Sequence, residues 1–175
     1  MNNYDWPIAF REIHEAGVKT YRSGKTSVKG FFPPAAEAFL DSIGCTAQEL
    51  FDFIEDLCCY GEPAYETALL VTAVRRDYFL TIQKGKKSGN IVSMDSLPAK
   101  TDAVDGIAWL PRLIVKARAK LRGEMPPDLM YGCGGDRPFL RGMNVELSDF
   151  LRVVWAARDD DRKVIDYVKA QKAAS

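Results

Sequence analysis

Apolar residues in this chain recur at steps of three and four, in stretches that open at proline and close at glycine. The clearest case follows Pro111, where Leu110, Leu113, Ile114, Ala117 and Leu121 fall on one face and Gly123 ends the pattern. A second begins at Thr46. Thr46 and Glu49 have the spacing of a capping box, in which each side chain satisfies the other's backbone N–H. The helix it opens carries Leu50, Phe51, Phe53, Ile54 and Leu57 inward and stops near Gly61. That period excludes a mainly β fold and predicts an all-α protein.

The remaining segments follow the same logic. Helices are expected over 8–22, with Ile13, Ala16, Gly17 and Tyr21 as the buried stripe, over 35–43, and from about 64 to at least 77, with Pro63 in the first turn. Residues 78–82 are β-branched and aromatic and could be strand; we read them as continued helix. Residues 84–106 form a connector in which 91–94 could be one short extended segment. Helices over 111–122, 145–157 and 161–172 follow, the last with Asp159, Asp160 and Asp161 at its positive end. The glycine- and proline-bearing loop 124–137 separates the first two.

A shift of 100 residues superposes the two halves. Arg22 falls on Arg122, Phe39 on Phe139 and Leu40 on Leu140. Leu50, Phe51, Phe53 and Ile54 fall on Phe150, Leu151, Val153 and Val154. Phe31-Phe32 and Met130-Tyr131 hold similar places, and Gly24 and Gly123 stop their helices one residue out of step. The expectation is two related three-helix units, 1–83 and 107–175, joined by the connector and packed around a shared core, with a ligand cleft between them. The alternative is that any two helix–loop–helix–helix stretches share such a pattern. Trp6, Trp109 and Trp155 would pack in the core or at the seam.

The sequence Trp109-Leu110-Pro111-Arg112-Leu113, continued by Lys116-Ala117-Arg118-Ala119, carries a resemblance. So does Tyr131-Gly132-Cys133-Gly134-Gly135-Asp136-Arg137-Pro138-Phe139-Leu140. Together they resemble the bacterial "domain of unknown function 5069" family, with its Leu-Pro-Arg-Leu helix opening and its Tyr-x-Cys-x-x-Asp loop leading to Phe-Leu. The resemblance covers about residues 107–169 and makes the first half a diverged copy. Gly134-Gly135 departs from the proline and apolar residue of the family pattern. The resemblance implies no activity.

Composition narrows the functional classes. With 47% hydrophobic and 27% charged residues the chain is a folded globular protein. Lys and Arg total 24, as do Asp and Glu, so the overall charge does not direct it to nucleic acid or an anionic membrane. No basic leader or spanning apolar run is evident, so a cytoplasmic location is expected. Cys45, Cys58, Cys59, Cys133 and the single His14 have no zinc spacing, so neither metal nor cofactor is expected. Gly24-Lys25-Thr26 has Lys19 where a phosphate-binding loop requires glycine, and it closes a helix instead of opening one.

Two candidate sites follow. The loop holding Tyr131, Cys133, Asp136 and Arg137 could bind a ligand through glycine-exposed backbone, a thiol and a charged pair. If catalytic, Cys133 would need a base or a cationic environment, from Asp136, Arg137 or His14. Arg112, Lys116 and Lys120 form a basic stripe at i, i+4 and i+8 that could meet an anion or a partner. The charge is segregated: residues 31–74 hold eight acids and no Lys or Arg, whereas 75–122 hold eleven basic residues and four acids. Acidic and basic faces meeting across a homodimer, or within the chain, would use that segregation better than nucleic acid. The favoured reading is a non-catalytic ligand-binding or protein-interaction module. The alternative is an enzyme using an inter-repeat cleft with Cys133, Asp136 and Arg137.

Overall fold

The computed structural model describes residues 3–174; positions 1, 2 and 175, at the outer ends of the expected repeats, lie outside the described residues. Its backbone is mostly helical, with eight α-helices and one two-stranded ribbon among the described residues. The chain divides between Lys86 and Lys87 into two compact units. No described helix is long and apolar enough to cross a membrane.

Unit 1 holds α1 (Trp6–Arg22), α2 (Pro34–Ser42), α3 (Ala47–Tyr60) and α4 (Tyr65–Thr81). The capping box is formed: Glu49 N–H donates to Thr46 Oγ1 at 3.1 Å and Thr46 N–H to Glu49 Oε2 at 2.9 Å. Gly61 ends α3 in the left-handed conformation. Helix α4 runs through residues 78–81, so that segment is helix. Pro63 precedes α4 rather than entering its first turn, because the helix starts only at Tyr65, and the Glu62–Pro63 peptide is cis.

The buried face of α1 differs from the expected stripe. Trp6, Phe10, His14 and Gly17 turn inward, Ile13 is half-buried and Ala16 is exposed. The true stripe repeats at steps of four and three as well, but it passes through a histidine that hydropathy counts as polar. His14 sits edge-on to Tyr65 with ring centroids 5.1 Å apart. Gly17 lets α1 approach α3, since a Cβ there would lie 2.5 Å from Ile54 Cδ1. Gly44 has φ of 72°, and a Cβ on it would meet the Phe79 ring at 2.6 Å.

Unit 2 begins with the connector. Residues 91–93 are not strand; a single 3-10 turn at Met94–Ser96 follows them. The extended pieces are β1 (Ala103–Val104) and β2 (Ile107–Ala108), antiparallel, with Ala103 opposite Ala108. Asp105 and Gly106 both have positive φ, the requirement of a tight hairpin turn. The connector is tied down: Val92 N–H donates to the Glu124 carbonyl at 2.9 Å, and Arg112 Nη1 to the Pro98 carbonyl at 2.8 Å.

Then come α5 (Leu110–Arg122), α6 (Asp136–Gly142), α7 (Leu147–Ala157) and α8 (Asp161–Ala173). Each unit therefore has four helices instead of three. In the second unit the sequence pattern leaves out α6, a seven-residue helix with Pro138 in its first turn, too short for its period to be read. The predicted α5 face is fully buried, and Leu140, Phe150, Leu151, Val154, Val164 and Val168 complete the core.

Local geometry repeats at a spacing of 100 residues. After α2, the N–H groups of Ile43 and Cys45 donate to the Leu40 carbonyl and that of Gly44 to the Asp41 carbonyl. After α6, those of Met143 and Val145 donate to Leu140 and that of Asn144 to Arg141. Gly44 and Asn144 both have positive φ, 72° and 56°. Before each helix the match is equally close: Ala36 and Glu37 donate to the Pro33 carbonyl at 2.9 and 3.1 Å, and Asp136 and Arg137 to the Cys133 carbonyl at 2.9 and 3.1 Å.

Candidate functional site

Helix α5 and the loop before α6 bring most of the predicted site residues together. Lys116 lies at mid-helix and points inward. Its Nζ is 2.5 Å from Asp136 Oδ2, and the two residues are 2% and 0% exposed. Asp136 opens α6, and its carboxylate takes two further donors. Gly132 N–H donates to Oδ2 at 2.9 Å, and the indole Nε1–H of Trp109 donates to Oδ1 at 3.0 Å. A buried carboxylate with a cation and two N–H groups is a satisfied anion.

The same ammonium donates to Cys133 Sγ at 3.4 Å. Cys133 is half-buried and Gly134 exposed, so sulfur and adjoining backbone are where this cluster meets the surface. Arg137 is buried and its Nη1 donates to the Gly132 carbonyl at 2.7 Å, closing the loop from the other side. Tyr131 is buried, with its hydroxyl donating to the Leu147 carbonyl at 2.8 Å. Burial, reinforced by the negative charge of Asp136, pushes its phenol pKa well above the ordinary value, so Tyr131 acts as a neutral strut.

Glycine is required at one point of this loop. A Cβ on Gly135 would lie 2.5 Å from the Trp109 ring, whereas one on Gly134 would find nothing nearer than Arg137 Nη2 at 3.9 Å. Trp109 itself was not among the predicted site residues. Its place one residue before the proline-opened helix, in the stretch that carries the family resemblance, was the available signal. It holds a positive φ of 73° at the start of α5.

The basic stripe is not a solvent-facing surface. Lys116 and Lys120 are each 2% exposed, and Arg112 is half-buried with its guanidinium on the Pro98 carbonyl. Helical spacing alone placed the three on one face; the loop 131–136 and the connector then covered that face. His14 belongs to unit 1, where burial outweighs the opposing charges of Glu15 and Glu66 and lowers its pKa. Among the described residues no three His, Cys, Asp or Glu side chains are grouped to hold a metal ion.

Fold and site define a four-helix unit built around a buried lysine–aspartate pair beside a surface thiol. Residues 96–175, which include that entire site, match the family model described as "Domain of unknown function (DUF5069)". The match supports the family for unit 2 and brings no activity with it. No curated protein and no solved structure matches the chain.

Proposed function

We propose that the protein is a non-catalytic binding module, and that the loop Tyr131, Cys133, Asp136, Arg137 is its recognition element. The carrying observation is the state of Asp136. It is fully enclosed and already accepts from Lys116, Gly132 and Trp109, so it is a poor general base for a substrate outside. Arg137 is likewise occupied with the loop's own backbone. These groups shape the loop, and Cys133 with Gly134 presents it. A rigid scaffold that brings a short stretch of loop to the surface, here Cys133 and Gly134, is the usual arrangement for binding.

The same reading takes unit 1 as a diverged copy of unit 2, in a bacterial cytoplasmic protein. What supports the copy is the repeated order of four helices and the hydrogen bonds that recur 100 residues apart.

The test is a thermal-shift screen of wild type and Cys133→Ser against metabolites, nucleotides, metals and short nucleic acids. A ligand of the folded state raises the melting temperature. The expected result is a stabilising compound whose effect is reduced in Cys133→Ser. Turnover of any hit, lost in Cys133→Ser, would overturn the non-catalytic reading in favour of the enzyme.

A further inference from the structure

Unit 1 has a pocket where unit 2 has its ion pair. The pocket has a volume of about 130 Å³ and is lined on one side by Ala16, Gly17 and Thr20 of α1 and on the other by Phe31, Pro33 and Ala36. Shifted by 100 residues, these positions are Lys116, Ala117, Lys120, Tyr131, Cys133 and Asp136. The backbone matches at the turn that closes the place, although α1 is capped at Ser23 with φ of -80° and α5 at Gly123 with φ of 69°. Helices α1 and α5 end at Arg22 and Arg122, and the turns opening α2 and α6 make the same two hydrogen bonds at the same lengths. What differs is side-chain volume. Lysine, lysine and aspartate in unit 2 become alanine, threonine and alanine in unit 1. Unit 2 fills the place with its own Lys116 stem and Asp136 carboxylate; unit 1 leaves it open.

We infer that this pocket is a binding site for a small neutral aromatic or aliphatic molecule of about benzene size. The volume carries the size: the pocket opens to solvent beside the exposed Glu12, Ala16 and Pro33, and its volume is close to the roughly 150 Å³ of a closed apolar cavity that takes up benzene. The lining carries the chemistry. The walls are aromatic rings, proline and alanine, and Ala36 supplies no carboxylate for an ammonium head of the kind Asp136 receives. Glu12, also lining the pocket and exposed, opposes an anion. The site lies wholly in unit 1, whereas the Cys133 loop belongs to unit 2.

The probe is fluorobenzene, followed by fluorine NMR with the full chain. Wild type is expected to give a saturable shift, retained in Cys133→Ser and lost in Ala16→Leu and in Thr20→Leu. Ala16 is exposed and Thr20 half-buried, so leucine at either fills the pocket without entering the core. 4-Fluorobenzoate is expected to give no saturable shift. Absence of saturation in wild type, persistence of the shift in both leucine variants, or equal binding of the benzoate would each overturn the inference. Failure here leaves the loop reading standing, because Cys133→Ser reports on that loop separately.

Discussion

The ammonium of Lys116 and the carboxylate of Asp136 are 2.5 Å apart in a place closed to solvent, and each is the other's counter-charge. Removing one partner leaves an uncompensated buried charge, at a cost of about 3–5 kcal/mol, whereas replacing both by apolar groups of similar volume is often neutral. Asp136→Ala also orphans the N–H groups of Gly132 and Trp109. We expect Asp136→Ala and Lys116→Met each to destabilise the second unit severely. The double variant Lys116→Met/Asp136→Leu should recover most of that loss. Chemical denaturation of the three variants forms a double-mutant cycle, and additive losses would show that the pair is not coupled.

Gly135 and Gly134 are adjacent but should respond oppositely to alanine. At 135 the methyl group would enter the Trp109 ring, so ring or loop must shift; overpacking of this kind costs about 1–3 kcal/mol. At 134 there is room, and the change should stay within about 0.5 kcal/mol. Thermal melts of the two variants read this directly. Equal melting temperatures would mean that the indole does not rest on Gly135.

The α3 cap is a local feature with a local cost. Thr46→Ala removes the acceptor of the Glu49 N–H, and such replacements cost about 0.5–2 kcal/mol. Thr46→Ser keeps the oxygen and should be close to wild type. A melt in which alanine and serine behave alike would show that the cap does not hold the helix.

How much of this was legible depends on how local each signal is. The capping box, the α5 face and the stop at Gly123 were readable because caps and helical period are properties of neighbouring residues. The burial of Lys116 was not, because its partner lies 20 positions away and only the fold supplies it. A stripe of lysines reads as solvated surface until a counter-charge is known to cover it. The same limit applied to α1, where His14 interrupts the hydropathy of a stripe that is nonetheless buried. The loop 131–137 could be singled out from its residue types, yet which members face inward could not. The candidate roles of Asp136 and Arg137 turn on that point. The 100-residue spacing was visible as a weak pattern in sequence; the pocket it points to in unit 1 needed the coordinates.

His14 gives a pH dependence whose sign follows from its burial. It is 3% exposed, packed edge-on against Tyr65, and burial is the largest influence on its pKa, lowering it from 6.5. The nearby Glu15 and Glu66 charges pull upward and Arg11 pulls downward, but the net direction is down. In the unfolded chain the imidazole takes up its proton at the ordinary value, while in the folded protein it stays neutral to lower pH. Between those two values the unfolded state binds more protons, so stability falls as pH falls. The contribution is complete above about pH 6.5 and is lost progressively on acidification towards the lowered folded value. Chemical denaturation from pH 7.5 down to 5.5 should therefore show a falling midpoint in wild type. His14→Gln, which cannot be charged, should be less stable at pH 7.5 because it loses the aromatic contact, but its midpoint should fall less over the same range. Parallel slopes for the two proteins would mean that His14 titrates alike folded and unfolded, and would transfer the pH dependence to the carboxylates.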